Sequence, residues 1–341
     1  MKCFYIFSNS PGEIFSWVKP TVARFHNEFP NASIHIFLTP CQYATGEEKK
    51  VCLTFPGVTH VYSPKESMKL LYINHQFSSG IVFYLGGDPL HAKRFSKQTH
   101  SKLIGYFEKK VSDIAFDYIY HKSESVDMMS VGLNPVPMKS RHGVCLLPGS
   151  RPEHLLVALP LMAQMVENLN DVTILFSPFT TDENLAKFSK QYASFNVKKM
   201  TDVNDLAHYK YALTIPGTNT MQCAYFKIPY FMIFPTHDSR ILRLQGILGL
   251  FLYIPLLGPL LKFIILNLFV RSQKIYSIPN SKLGYKLCPE LIGRFSVSDA
   301  THLLHVFLNN SDRYFEITRG FENFVLKQNS LDGVIRWIKS N

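Results

Sequence analysis

Short apolar runs alternate along this chain with stretches whose apolar residues recur at helical spacing. Lys2–Phe7, Ser33–Leu38 and Gly80–Leu85 read as buried strands, and the stretch from about Trp17 to Glu28 reads as a helix between the first two. The first strand empties into Ser8-Asn9-Ser10-Pro11-Gly12-Glu13 and the third into Gly86-Gly87-Asp88-Pro89. Such alternation predicts a right-handed parallel sheet with helices on both faces. The segment from Asn134 to His142, with two prolines and then a polar stretch, reads as a linker, after which the pattern restarts. Gly143–Leu147, Val172–Phe176 and Tyr211–Ile215 are the next strands, with helices over Glu153–Leu169, Asp182–Tyr192 and Thr220–Phe226. No sequence repeat links the halves. The expected architecture is α/β, with two Rossmann-like domains facing a central cleft and ligands at the C-terminal ends of the strands. Residues 1–138 and 143–315 are the expected domains, and 316–341 read as C-terminal helices free to cross back to the first.

One stretch does not suit a soluble domain. Ile241 to Val270 is almost wholly apolar, with basic residues at Arg240, Arg243 and Arg271. A spanning helix needs about 20 uninterrupted apolar residues, and Pro255, Gly258, Pro259 and Lys262 break this run near its middle. Two short helices lying in a membrane interface, basic residues at headgroup level, fit better than a span or a buried contact.

Two segments carry candidate chemistry in the second half. Leu146-Leu147-Pro148-Gly149-Ser150-Arg151 and Ile215-Pro216-Gly217-Thr218-Asn219-Thr220-Met221-Gln222 each close an apolar strand with glycine and hydroxyl residues and then open a helix. Glycine lets the backbone approach a ligand, and the helix start offers unpaired N–H groups and about half a positive charge. Arg151 adds a planar cation suited to pyrophosphate oxygens. Two ordinary β–α turns are the plainer alternative. In the first half, Asp88 is either a general base pushed out by the flanking Gly86, Gly87 and Pro89 or the cap of a following helix. Glu13 is either a helix-terminal charge or a ligand contact.

Composition narrows the partners. The 341 residues are 46% hydrophobic and 18% charged, with a formal net charge of +11. That charge favours anionic partners, and with basic residues scattered and no nucleic-acid-binding signature, a phosphorylated metabolite or an acidic membrane surface fits better than nucleic acid. The six cysteines form no CxxC pair and mostly sit in apolar runs, so they read as reduced thiols of a cytoplasmic protein. The N-terminal apolar stretch is too short for a signal peptide. There is no HExxH, zinc-ligand spacing, GxSxG or GxxxxGK, so no metal or other cofactor is expected.

The two glycine-bearing segments and Tyr276-Ser277-Ile278-Pro279-Asn280 occur in the order and at roughly the spacing of the lipid-A-disaccharide synthases, which the chain resembles over most of its length. Pro11-Gly12-Glu13 resembles that family's Gly-Glu turn, and Gly87-Asp88-Pro89 the segment bearing its essential aspartate. The resemblance implies a GT-B glycosyltransferase that moves an acylated glucosamine, with inversion, from UDP to a lipid-linked phosphorylated monosaccharide. It implies Asp88 as base, and Arg151 with Ser150 and Gly149 on the pyrophosphate or the acceptor phosphate. Gly217, Thr218, Asn219 and Gln222 would wrap the UDP ribose and phosphates, Gly12 and Glu13 would line the acceptor, and Asn280 matches an asparagine the family needs. Its partners would be a UDP-sugar, a lipid acceptor and the anionic inner face of the bacterial cytoplasmic membrane, where the protein would be peripheral; a homodimer is open.

The chain also departs from the family. Gln222 stands where the family has glutamate, and Phe15-Ser16-Trp17 where it has Ser-Gly-Asp. Only Leu103-Ile104-Gly105-Tyr106 answers its Ser-Pro-Ser-Val-Trp-Ala-Trp stretch, and Gly132-Leu133 its Gly-His. Most departures fall in the acceptor half. They keep open a different UDP-sugar transferase with a lipid acceptor, and a catalytically silent lipid-binding or partner-binding relative.

Overall fold

The computed structural model describes residues 2–73, 77–107, 115–121, 133–134, 136–238, 275–324 and 331–341. The chain divides into two compact units, Met1–Gly132 with Lys327–Asn341, and Leu133–Leu326.

The first unit is built on a parallel sheet in the order β3-β2-β1-β4-β5-β6. Its strands are β1 (Cys3–Ser8), β2 (Ser33–Leu38), β3 (Val58–Tyr62), β4 (Ile81–Tyr84), β5 (Lys102–Phe107) and β6 (Tyr118–His121). The central strands β1 and β4 are the apolar runs of the sequence, covered on both faces as a parallel sheet requires. Phe7 stacks on Phe37 at 4.8 Å, and Phe95 from helix α5 (Pro89–Thr99) packs on Phe37 at 4.7 Å. Each such fully buried ring is worth roughly 1.5–3 kcal/mol of transfer free energy. The helix expected from about Trp17 starts earlier. After β1 the chain enters α1 (Pro11–Glu13), a π-helical turn (Ile14–Val18) and then α2 (Lys19–Glu28). The layer is completed by α3 (Glu48–Leu53) and α4 (Pro64–Tyr72).

The C-terminal helix belongs to this unit. Leu331, Val334, Ile335 and Ile338 recur at helical spacing and are all buried. Asp332 pairs with Arg24 at 2.7 Å, Lys339 pairs with Glu28 at 2.7 Å, and Lys2 Nζ donates to the Ile338 carbonyl at 2.7 Å.

The second unit repeats the plan with the order β12-β11-β10-β7-β8-β9, all parallel. Its strands are β7 (His142–Leu147), β8 (Val172–Phe176), β9 (Asn196–Lys199), β10 (Tyr209–Thr214), β11 (Tyr230–Pro235) and β12 (Glu290–Gly293). The helices between them are α6 (Pro152–Met165), α7 (Asp182–Gln191) and α8 (Thr218–Tyr225). Beyond β11 come α9 (Ile278–Leu283), α10 (Val297–Leu308) and α11 (Ser311–Phe324). Helix α6 is apolar nearly all round because it is covered on more than one side, packing on both β11 and α10. Helix α8 opens two residues before the expected Thr220, which brings Thr218 and Asn219 into its first turn.

The apolar run Ile241–Val270 lies outside the described residues. Among the described residues no helix is long and apolar enough to cross a membrane.

Candidate functional site

In each sheet the chain leaves the central strand in one direction and later returns to build outward in the other. The crevice at the carboxyl ends of the two middle strands is where such sheets bind ligands. In the second unit these strands are β7 and β10, whose last residues, Leu147 and Thr214, are register partners. The two glycine-bearing turns therefore lie side by side. Thr214 Oγ1 donates to the Ile215 carbonyl at 3.2 Å, fixing the start of its own turn. Gly149, at φ +89, sits so close to the neighbouring turn that a Cβ there would lie 2.8 Å from Ile215 Cδ1.

The helices leaving these turns start without side-chain caps. Arg151 occupies the N-cap of α6, where its side chain makes no capping hydrogen bond, and Gly217, with no side chain to offer, occupies that of α8. Gly217 has φ 145 and ψ −166, a region essentially closed to residues with a Cβ, and a Cβ built there would meet nothing within 4 Å. Open space beside an uncapped helix start leaves room for an anion. Thr220 closes the turn internally, its Oγ1 donating to the Gly217 carbonyl at 2.7 Å. Ser150 and Arg151 are partly exposed, Thr218 is exposed and Asn219 partly so. Gln222 follows one turn into α8 and is buried, and its Oε1 has no hydrogen-bond partner among the described residues.

Asn280 is placed differently. It is fully buried, its Nδ2 donating to the Cys288 carbonyl at 2.8 Å and to Glu290 at 2.9 Å, while its Oδ1 accepts from Cys288 N at 3.0 Å. Glu290 also accepts from the Tyr276 and Ser277 amides, and Ser277 Oγ accepts from the Tyr230 hydroxyl at 2.8 Å. This network joins the Tyr276–Asn280 segment to β11 and β12. With both ends of its amide engaged, Asn280 acts here by holding backbone in position.

The first unit has its own crevice at the ends of β1 and β4, and its helix starts are closed. Ser10 and Glu13 form a reciprocal capping box on α1, with Glu13 N donating to Ser10 Oγ and Ser10 N to Glu13 Oε2, both at 3.3 Å. Asp88 caps α5, its Oδ1 accepting from Leu90 N at 2.9 Å, and the residue is exposed. Capping occupies one carboxylate oxygen; the other keeps its lone pairs. Gly86 and Gly87, at φ 139 and 82, bring the backbone close to its neighbours: a Cβ on Gly86 would run into the Glu13 carboxylate, and one on Gly87 would lie 2.6 Å from Thr39 Oγ1. Glu13 and the Gly86–Asp88 turn are thus brought together, with the partly exposed Gly12 beside them.

Tyr84 was not singled out in the sequence. It ends β4, and its hydroxyl donates to the Gly87 carbonyl at 2.8 Å. Burial, then the Glu13 and Asp88 carboxylates, push that hydroxyl up to about 12. A tyrosine at the end of an apolar strand two residues before a Gly-Gly pair was the available signal. A groove of about 490 Å³ along β8 and β9, lined by His142, Asp171, Asn196 and Tyr209 among others, contains none of the expected site residues. Among the described residues no group of three or more His, Cys, Asp or Glu side chains is placed to hold a metal ion.

No protein-family model matches the sequence, and no curated protein does. Solved structures do resemble the chain. A putative UDP-N-acetylglucosamine 2-epimerase from Listeria monocytogenes aligns over 94% of this chain and 90% of its own, at 10% identity and a TM-score of 0.50. MurG from Acinetobacter baumannii aligns over 100% of both chains at 10% identity and a TM-score of 0.47. HepE from Anabaena, in complex with UDP-glucose, aligns over 100% of this chain and 99% of its own at 8% identity and 0.47. At such identities the likeness is one of fold, and the paired six-stranded parallel sheets decide which fold it is.

The fold is of the GT-B type.

Within this GT-B chain the expected site residues fall into three groups. Gly149, Ser150, Arg151, Gly217, Thr218, Asn219 and Gln222 gather around the ends of β7 and β10 in the second unit. Gly12, Glu13 and Asp88 gather around the ends of β1 and β4 in the first. Asn280 stands apart, in the support under α9.

Proposed function

We propose that the protein is a sugar-nucleotide-dependent glycosyltransferase that binds UDP-sugar at the ends of β7 and β10. The observation that carries this reading is the pair of adjacent helix starts, α6 and α8, left without side-chain caps beside Gly149 and Gly217. A diphosphate supplies acceptors for the first-turn N–H groups of both, and at α8, whose first turn holds no acidic residue, the negative charge as well. Arg151 adds a charge-assisted contact to the same phosphates. The buried Oε1 of Gln222 is an acceptor in need of a donor, and a ribose hydroxyl would serve. The asymmetry between the units supports the same division of labour, since Ser10, Glu13 and Asp88 close the corresponding helix starts of the first unit.

The chemistry then needs a base and a stabilised leaving group. Asp88 takes the proton from an acceptor hydroxyl through the oxygen that does not cap α5. That hydroxyl attacks the anomeric carbon from the face opposite UDP, and the glycosidic bond to UDP breaks with inversion. The helix starts and Arg151 take up the charge that develops on the departing diphosphate. Tyr84 and Asn280 position the two loops without touching substrate.

The resemblance to lipid-A-disaccharide synthases makes an acylated glucosamine the donor group and a lipid-linked monosaccharide the acceptor, with Ile241–Val270 holding the enzyme on the anionic inner face of the membrane. A second reading, transfer to a different lipid acceptor, is favoured by Phe15-Ser16-Trp17 and by Tyr106, which replace family motifs in the acceptor half. UDP release from a panel of UDP-sugars, with and without membrane lipid extract, tests the proposal. Release that depends on the extract supports transfer to a lipid; UDP binding without release under any condition leaves a silent relative; absence of UDP binding overturns the reading.

A further inference from the structure

Two of the places where the acceptor half departs from the resembled family come into contact. Trp17, in the π-helical turn after Glu13, meets Tyr106 of β5 edge-on, ring centroids 5.1 Å apart and planes at 73°. Tyr106 is 2% exposed, whereas Trp17 is partly exposed. Trp17 lies one turn along the helix from Glu13, whose carboxylate rests against Gly86 beside Asp88. Between Glu13 and Trp17 sits Ser16, which is buried, with an Oγ that has no hydrogen-bond partner among the described residues. π-helical turns of this kind are frequent at functional sites.

The charge at this crevice is wrong for a phosphate. Both helix starts already carry a side-chain cap, the Ser10–Glu13 capping box on one and Asp88 on the other, so an anion there would meet a carboxylate. Two carboxylates stand at the turns themselves. The nearby lysines of the same elements lie over rings, Lys19 above Phe15 at 5.1 Å and Lys93 above Phe116 at 5.3 Å. Carboxylates that accept from hydroxyls, next to an accessible indole that packs against the C–H face of a ring, are the equipment for a neutral sugar.

We infer that the group seated at the ends of β1 and β4 is the uncharged ring of a carbohydrate acceptor packed against Trp17, and not a sugar phosphate. The inference rests on the transferase reading in its second form, transfer to an acceptor other than the phosphorylated monosaccharide of the resembled family, and deepens it by naming that acceptor's class. Like charge at the Glu13 and Asp88 turns then selects against a phosphorylated ring, and the Trp17–Tyr106 pair sets which ring face is accepted.

The chain has two tryptophans, and Trp337 lies on the C-terminal helix against Tyr118, so Trp337→Phe leaves Trp17 as the sole indole reporter. Full-length Trp337→Phe protein saturated with UDP is titrated with neutral hexoses and N-acetylhexosamines and with their 1-phosphates, following Trp17 fluorescence. The expected result is a saturable shift with at least one neutral sugar, its 1-phosphate binding at least about tenfold more weakly. Asp88→Asn, which keeps the helix cap, should narrow that gap. Equal or tighter binding of the phosphates, or no response to any sugar, overturns the inference. UDP binding is measured on the same samples by calorimetry, so loss of the nucleotide site, which would sink the transferase reading, is seen separately.

Discussion

Replacing Gly217 by alanine separates the backbone role of this residue from its role beside a ligand. Its φ of 145 and ψ of −166 place it where only glycine is at ease, and forcing a Cβ there costs on the order of 1–3 kcal/mol. No protein atom lies within 4 Å of the added methyl, so packing contributes nothing further. At about 2–4 °C per kcal/mol for a unit of this size, the melting temperature should fall by roughly 2–12 °C. Gly284 is the matched control, also left-handed at φ 78 with nothing within 4 Å of its Cβ, but at the C-terminal end of α9. Gly284→Ala should lower stability by about 1–2 kcal/mol and leave UDP affinity alone. Gly217→Ala should in addition weaken UDP by about tenfold or more, because the methyl takes the space the diphosphate needs. Calorimetric titration of both variants well below their melting temperatures reads the difference. If Gly217→Ala melts as expected yet binds UDP within about twofold of the parent, the space beside Gly217 is not the phosphate site and the reasoning fails.

Asp88→Asn keeps a competent helix cap, so the variant should fold and bind UDP normally while turnover drops by about 10²–10⁴-fold, measured as extract-dependent UDP release; a loss of only a few-fold would leave Asp88 as a cap. Arg151→Ala should weaken UDP-sugar binding and slow transfer, with lysine restoring part of both, and unchanged binding in the alanine variant would remove Arg151 from the site. Tyr84 is pushed up to about 12 from an ordinary 10.0 by burial and then by Glu13 and Asp88. The fold therefore favours its neutral form, and its stabilisation is intact below about 10 and is lost as pH rises through about 12. Tyr84→Phe should flatten the loss of stability across that window, and an unchanged alkaline unfolding profile would contradict the assignment. Exchanging Ile241–Val270 for a short polar loop should release the protein from anionic vesicles while UDP binding persists; equal sedimentation of both forms with vesicles would place membrane attachment elsewhere.

The parts of the fold legible in the sequence were those buried on both faces. β1, β4 and β8 are nearly continuous apolar runs because a parallel sheet hides both of their sides, and β10 becomes one beyond the exposed Lys210. β3 and β9 stand at sheet edges and carry polar residues such as His60 and Lys198, and β5 is interrupted by Gly105, so none of them presents such a run. The glycine turns could be read as turns, but their adjacency could not, since it follows from the strand order that makes β7 a neighbour of β10. For Asp88 the sequence left base and cap as alternatives, and the geometry lets one carboxylate serve both. Asn280 carries no local sign of its bonds, because Cys288 and Glu290 belong to a later part of the chain that only the fold brings back. The tie between Trp17 and Tyr106 is equally non-local, joining the first β–α connection to the fifth strand.

Hydrogen exchange of the full-length protein with and without UDP tests most directly where the nucleotide sits. The account predicts slowed exchange of the amides in Gly149–Leu155 and Gly217–Gln222, with the turns Asn9–Glu13 and Gly86–Leu90 unaffected. Protection confined to the first-unit turns, or no protection at either glycine turn at saturating UDP, would contradict it.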